Sequence, residues 1–323
     1  MTEAMLSRVA DHLYWMSRYL ERAEHTMRLL SVNLTMTLDQ KSTRPEHRWG
    51  QLLSSLSITP PADQDLDDYG VIKLVTFEAE NTNSIMSCIS TARENARHVR
   101  ELISSEMWER LNSLYFQMRA ADVDAVCRDE AFTFLRAIYD GLLLFQGVTD
   151  STMNHGEGWD FIQAGRYIER ANATAHLLDV HNAILVQPDP DEAVERYLDW
   201  VGLLKSCTAF EAYVKIYSAD VEPRHLLEFL LLNSQFPHAV CFAIRQLEEA
   251  LTAIAETTEK RKGIRVNRLA GRLQAMLGYT SIDEISEGSL RGYLADVKLQ
   301  CAQIHNAIHD TYIVYPFETA LVS

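Results

Sequence analysis

The chain is poor in the two residues that interrupt helices, with 13 glycines and 8 prolines among 323 residues. They lie between long segments with helical periodicity, a distribution typical of all-helical proteins. No stretch alternates polar and apolar residues over strand length without a helical alternative, so no sheet is predicted. Uninterrupted apolar runs of about 18 residues, which would predict a membrane-spanning helix, are lacking. The basic start of a signal or transit peptide is lacking too, so we expect a cytoplasmic all-α protein.

Other scarcities narrow the chemistry. The five cysteines stand singly, without the CxxC spacing of zinc or redox sites, so we expect neither a metal site nor disulfides. The motifs GxxxxGK[ST] and GxGxxG are both absent, and no nucleotide cofactor is predicted. Positive charge is in deficit: 30 Lys and Arg residues against 45 Asp and Glu residues leave a net charge of −15. That balance repels phosphate backbones and anionic bilayers, so we expect neither nucleic acid nor a membrane as partner.

One helical segment occurs twice. SRYLERAEHTMRLLSVN at 17–33 and GRYIERANATAHLLDVH at 165–181 are identical at 9 of 17 positions. Weaker matches continue beyond it, as between Trp49 and Trp200, with offsets of 148 to 155 residues. The chain is therefore predicted to be an internally duplicated helical bundle, with a first repeat at 1–153 and a second at 159–323. Because similar apolar faces pack in similar ways, we expect the two halves to pack about a pseudo-two-fold axis.

Apolar periodicity predicts twelve helices within this plan. Their expected ranges are 4–39, 46–57, 71–80, 82–105, 107–120, 124–152, 159–186, 192–217, 223–232, 237–257, 265–277 and 289–314.

The repeated helix carries charged residues that recur in both copies: Arg18, Glu21, Arg22 and Arg166, Glu169, Arg170. They lie opposite the main apolar stripe, yet apolar residues such as Tyr14 and Ile162 share their face. Such a helix is apolar on two sides, so we expect the charges to be partly buried and to need partners. Both interpretations stay open: a structural ion-pair network, or a pocket whose surplus arginines bind a carboxylate or phosphate.

Other residue groups point less clearly to a site. Glu21, Glu24 and His25 have the spacing of helix-borne metal ligands, but the second copy replaces the latter two, so a duplicated metal site is not predicted. His305 and His309 are expected to be a pair on a helix surface. Arg93 and Arg97, one turn apart, predict either a solvated face or a second cationic ridge facing the central helix or a partner.

The string LYWMSRYLERAEHTMRLLSV, its second appearance FIQAGRYIERANATAHLLDV and the segment ARENARHVRELISSEMWERLNSLY resemble the bacterial alpha-E family. That family is all-helical and named for a Glu-Arg motif, which maps onto Glu21-Arg22 and, through the repeat, onto Glu169-Arg170. Thr82 stands where the resemblance implies a proline, and His176 stands where the first copy has Arg28.

The resemblance also implies a setting. Alpha-E proteins are associated with circularly permuted ATP-grasp proteins and transglutaminase-like proteins in predicted peptide synthesis and modification systems. We therefore expect a non-catalytic accessory component whose Arg/Glu pocket binds an acidic peptide, a carboxylate or a partner protein. The alternatives are an enzyme that uses Glu21 or Glu169 as its acid or base, and a purely structural scaffold. Arginine neighbours lower a carboxyl pKa, which suits an orienting anion better than a general acid.

Overall fold

The computed structural model describes residues 5, 7–39, 45–59, 67–186, 193–258, 260–287 and 289–313, and within these ranges the secondary structure is entirely helical. The predicted all-α class is confirmed. The helices are α1 Ser7–Asp39, α2 Pro45–Ser55, α3 Asp68–Thr76, α4 Ile85–His98, α5 Ser105–Ala120, α6 Val123–Ala125, α7 Ala131–Thr152, α8 Glu157–Val180, α9 Asn182–Val186, α10 Ala193–Ser206, α11 Phe210–Tyr217, α12 Pro223–Leu227, α13 Val240–Thr257, α14 Lys260–Tyr279, α15 Ile282–Glu287 and α16 Leu290–Ile308. Three five-residue π-helical segments follow α6, α12 and α16.

Several predicted boundaries were wrong. The expected helix 192–217 is two helices, because Thr208 adopts a left-handed φ of 52° between them. The expected helix 159–186 is interrupted at His181, which ends α8. The expected helix 82–105 covers only Ile85–His98, where the Ser84 hydroxyl caps its first turn. The short helix α15 was not predicted. Some predicted boundaries lie outside the described residues. They are the helix starts at 4 and 192, the helix end at 314, and the outer ends of the two repeats at 1 and 323.

Helices α1 and α8, which carry the repeated segment, pack against each other at the middle of the bundle. The two helices are parallel, as their contacts show. Ser17 donates to the Ile162 carbonyl, and further toward the C-terminus of both helices Glu21 accepts from Arg170. Helix α4 covers α1, and helices α13 and α16 cover α8. The expectation that this helix has two buried faces is confirmed, since Tyr14 is fully buried on the charged side of α1.

A glycine allows the two central helices to approach closely. A Cβ atom at Gly165 would lie 2.3 Å from the Tyr14 carbonyl oxygen, far inside van der Waals contact. The equivalent residue of the first copy, Ser17, packs into the same crossing and donates its hydroxyl to the Ile162 carbonyl at 2.6 Å. Backbone therefore meets backbone where the helices cross, and this holds the charged residues one turn further along close together.

One segment resembles a membrane helix in length and composition. Within the described residues, 123–152 contains a window that is apolar enough to span a bilayer, and 28% of that window is buried. Arg136 and Asp140 interrupt it and form an exposed ion pair across one helical turn. The side chains of Leu143 and Leu144 are 42% and 47% exposed on the same helix.

Candidate functional site: a buried arginine and glutamate centre

Five arginines and three glutamates of the two central helices form one buried cluster, here called the Arg/Glu centre: Arg18, Glu21, Arg22, Glu24, Arg28, Arg166, Glu169 and Arg170. Six of these eight were predicted as site residues, and the structure brings all six together. Glu21 is only 2% exposed and Glu169 7%. A solvated surface pattern is therefore excluded for these two carboxylates.

The ion pairs between the helices are reciprocal. Glu169 of α8 accepts from two arginines of α1, from Arg18 Nε at 2.8 Å and from Arg22 Nε at 2.7 Å. Glu21 of α1 accepts both Nε and Nη2 of Arg170 of α8, at 2.6 and 2.7 Å. Each carboxylate is thus held by guanidinium groups of the other helix, in the planar geometry that arginine provides.

These pairs shift the pKa values of both carboxyls downward. Burial alone would raise the pKa of Glu169, but the charges and hydrogen bonds of Arg18 and Arg22 hold it below its ordinary range. Burial likewise opposes ionisation of Glu21, and Arg170 prevails and lowers that pKa. Both groups are therefore anions at neutral pH, with their oxygens occupied by arginine. A general acid needs a raised pKa and a free oxygen, so neither carboxyl has the properties of one.

A second buried pair extends the centre along α1. Glu24 accepts from Arg28 one turn on, and its other oxygen accepts the Gln146 amide of α7 at 2.5 Å. Burial raises the pKa of Glu24, partly offset by Arg28. Arg28 also donates to the Ser206 carbonyl at 3.1 Å. Arg28 was not predicted as a site residue. The sequence analysis noted only that His176 stands at the equivalent position of the second segment.

Arg166 is the exception among these arginines. In the described part of the chain it forms no ion pair, and its one hydrogen bond is a long one of 3.4 Å to Gln163 Oε1. Its counterpart Arg18 is fully engaged with Glu169. Burial and the charge of Arg170 lower the pKa of Arg166, partly opposed by Glu21, Tyr167 and Glu24. Two of the five guanidinium charges therefore lack a matching carboxylate, because Arg18 and Arg22 share one and Arg166 has none.

The neighbour of Arg166 is also unsatisfied. Gln163 is 7% exposed, and its amide nitrogen has no hydrogen-bond partner in the structure. Buried polar atoms without partners are rare, and each calls for an explanation. Here the Arg166 guanidinium, which has the Gln163 amide oxygen as its acceptor at 3.4 Å and no carboxylate, lies beside an amide nitrogen without a partner. Arg166 itself is partly exposed, so this position is open to solvent.

The structure adds residues that the sequence did not predict. His305 was expected on a helix surface, which is wrong: its ring stacks on Tyr14 and its Nδ1 lies 2.9 Å from the Tyr14 hydroxyl and 3.2 Å from Arg18 Nη1. Burial and the Arg18 charge lower the pKa of His305 to about 4, so the ring is neutral. Asn83 accepts from Arg22 Nη1 at 2.9 Å. No local sequence signal relates these residues to the repeated motif.

Two predicted site residues lie elsewhere. Arg93 extends toward α5, where its guanidinium carbon is 4.5 Å from the Tyr115 ring centre and its Nε donates to Asn112 at 2.6 Å. Arg97 is 56% exposed and pairs with Glu94 on its own helix. Neither side chain therefore faces the central helix; a solvated face fits Arg97, and contact of either with a partner stays a prediction.

Metal-ligand geometry is not found in the part of the chain that the structure describes: no group of three His, Cys, Asp or Glu side chains is placed to hold an ion. Glu24 and His25, which have metal-ligand spacing in the sequence, differ in their surroundings. Glu24 is bound by Arg28 and Gln146, while burial and the Arg28 charge lower the pKa of His25 to about 3.

Fold and site together define an all-helical protein organised around a buried Glu-Arg motif. The chain belongs to the Alpha-E family, described as a predicted alpha-helical domain with a conserved ER motif, and the match covers residues 5–313. An uncharacterised protein of Mycobacterium bovis is 23% identical over 94% of this chain. Uncharacterised proteins of Mycobacterium tuberculosis strains CDC 1551 and H37Rv are 23% and 22% identical over the same share. The chain spans 36% of the length of these relatives. No solved structure matches it.

Proposed function

We propose that this chain is a non-catalytic binding protein whose Arg/Glu centre holds a carboxylate, or another small anion, at Arg166. The observation that carries the proposal is the guanidinium of Arg166, which has no counter-ion beside the unpartnered amide of Gln163. A partly buried cation without an anion is costly, and a carboxylate would accept from both groups. The low pKa values of Glu21 and Glu169 speak against the alternative in which either acts as an acid or base.

We further propose that this function serves a cytoplasmic peptide ligation or modification system, beside an ATP-grasp protein and a transglutaminase-like protein. An acidic peptide is the ligand that joins this setting to the site, because its carboxylates match the free guanidinium. In the mycobacterial relatives the matching region is part of a chain almost three times as long, which is compatible with a domain that works beside others. A purely structural role would leave Arg166 and Gln163 unexplained.

Internal duplication is part of the same proposal. Ser57 and Thr208, 151 residues apart, both adopt a left-handed φ, of 54° and 52°. In each copy the next residue donates its backbone N–H to the carbonyl of an equivalent leucine, Leu53 or Leu204, at 2.9 and 2.8 Å. Together with the reciprocal pairs of Glu21 and Glu169, these matched details support two halves related by a pseudo-two-fold axis. The two halves differ at one pair of equivalent residues: Arg18 forms an ion pair and Arg166 does not. The anion site is therefore proposed at Arg166 and not at Arg18.

The proposal is tested by Arg166→Gln, with Arg18→Gln as the matched control. Arg166→Gln removes repulsion from Arg170 and breaks no ion pair, so it should leave the stability unchanged or raise it by roughly 0.5–1 kcal/mol in chloride buffer. Arg18→Gln removes a donor from Glu169 and should lower the stability. Thermal unfolding is measured in sodium acetate, sodium phosphate and N-acetylglutamate against sodium chloride at equal ionic strength.

An anion at ten times its dissociation constant should stabilise the wild type by about 1.4 kcal/mol. Arg166→Gln should lose this stabilisation by the anion. Arg18→Gln should keep it, although its stability in chloride is lower than that of the wild type. Equal stabilisation of the wild type and Arg166→Gln by every anion would refute the site. The setting is tested separately, by pull-down with an ATP-grasp protein encoded beside this chain and by nucleotide-dependent ligation assays with and without this chain.

A further inference from the structure

A second pocket lies beside the Arg/Glu centre, on the outer side of α1, and we call it the basic pocket. Its volume is about 260 Å³, and it is bounded by α1, α7, the end of α10 and Thr208. Its lining residues are Met27, Arg28, Ser31, Val32, Phe132, Arg136, Tyr139, Lys205 and Thr208. Arg28 alone among these belongs to the Arg/Glu centre, so the two sites are adjacent and distinct.

Its charge is opposite to that of the molecule. The chain carries a net charge of −15, yet three cations and no carboxylate line this pocket. Two of the cations have carboxylate partners that are not part of the lining: Arg28 pairs with the buried Glu24 and Arg136 with the exposed Asp140. Lys205 forms no ion pair with any described residue, and its Nζ lies 5.8 Å from the Phe210 ring centre. One positive charge is therefore left over, which matches a single negative charge on a ligand.

The remaining wall is mainly apolar. Phe132, one of the lining residues, is 41% exposed. Tyr139 lies two turns further along α7, and Met27 and Val32 of α1 also line the pocket. The hydroxyls of Ser31 and Thr208 already donate within the protein, to Met27 Sδ at 3.4 Å and to the Cys207 carbonyl at 2.7 Å. The pocket thus offers apolar contact area over most of its wall and a cationic group at its edge, a combination typical of ligand pockets.

We infer that the basic pocket binds an organic monoanion with a carboxylate head and an aromatic or branched apolar body. The carboxylate pairs with Lys205 and Arg136, and the body packs on Phe132, Tyr139 and Met27. A doubly charged phosphate fits less well, because only one cation lacks a partner. A free carboxylic acid and the C-terminus of a peptide with an apolar last residue share this chemistry.

The experiment measures binding to the full chain by isothermal titration calorimetry with four probes. Two are small molecules, N-acetylphenylalanine and its neutral amide. Two are glycine-rich peptides that end in phenylalanine, one with a free C-terminus and one amidated. At least one acid should bind with a dissociation constant below about 1 mM, and the matching amide should bind at least about tenfold more weakly. Binding of the small acid alone identifies a free acid as the source, and binding of the peptide acid identifies a chain terminus.

Variants locate the binding. Lys205→Met keeps the apolar stem, removes the charge and breaks no described ion pair, so it should fold and lose about tenfold in affinity for the acid. Lys215→Met, at an exposed lysine of α11 outside the pocket, is the matched control and should bind as the wild type does. Arg166→Gln should also leave this binding unchanged, which separates this inference from the proposed function. Absence of binding by both acids, equal binding of acid and amide, or unchanged affinity of Lys205→Met would overturn the inference.

Discussion

Replacement of Gly165 by alanine should separate the two central helices. The added Cβ would lie 2.3 Å from the Tyr14 carbonyl oxygen, so the backbones must move apart by about 1 Å to restore van der Waals contact. Overpacking of this kind costs about 1–3 kcal/mol. The same movement lengthens the pairs from Glu21 and Glu169 to arginines of the opposite helix, and breaking a buried pair costs about 3–5 kcal/mol. Alanine recovers about 1 kcal/mol through its helix propensity.

With one buried pair lost, the expected net loss for Gly165→Ala is about 3–7 kcal/mol in the free energy of unfolding. Gly147→Ala is the matched control, since Gly147 lies inside α7 and a Cβ there would meet nothing within 4 Å. That variant should gain up to about 1 kcal/mol from helix propensity alone. Guanidinium denaturation followed by far-UV circular dichroism measures both. If Gly165→Ala were as stable as Gly147→Ala, the close crossing of α1 and α8 would not hold the Arg/Glu centre together.

Three further predictions concern charge and reactivity. Glu169→Gln should destabilise the protein by about 3–5 kcal/mol, because it leaves Arg18 and Arg22 buried without a carboxylate. Denaturant titrations measure this loss. A loss below about 1 kcal/mol would contradict a structural role for the ion pairs. The pKa of His305 is lowered to about 4, so its contribution to stability is complete above the unfolded value of about 6.5 and is lost as pH falls below it. Between pH 7 and 5 the wild type should lose roughly 1–2 kcal/mol more than His305→Gln, toward the lower figure because the half-buried ring is partly screened by solvent. Parallel pH profiles of the two proteins would argue against a neutral ring. Burial raises the pKa of the Cys88 and Cys301 thiols to about 12. In the native protein these two thiols should therefore react with Ellman's reagent only as fast as the protein unfolds. Rapid labelling of either thiol would show that the bundle opens locally.

The sequence predicted the centre of this molecule better than its surroundings. Arg18, Glu21 and Arg22 could be identified because they recur and because apolar residues such as Tyr14 share their face, and both signals lie within one helix. The reciprocal pairing could not be predicted, since it depends on the direction and closeness of the α1 and α8 crossing. The crossing depends on Gly165, which in sequence reads as an ordinary small residue within a helix.

The predictions failed where distant segments meet or where a backbone departs from its usual preference. His305 lies 287 residues from Arg18, and nothing in its own helix marks it as a partner of that arginine. Thr208, between α10 and α11, adopts a left-handed conformation that is more usual for glycine or asparagine, so no residue in the sequence indicates this break. Helix α15 is six residues long, too short for periodicity to identify.

The exchange of partners between α1 and α8 couples the two Glu-Arg segments. Loss of Glu21 leaves Arg170 unsatisfied in the other copy, whereas Arg22, its direct neighbour in sequence, keeps its contact with Glu169. A substitution in either Glu-Arg segment therefore affects a partner about 150 residues away. Across relatives, substitutions should be correlated between position 21 and position 170, and between position 22 and position 169, but not within either Glu-Arg dipeptide.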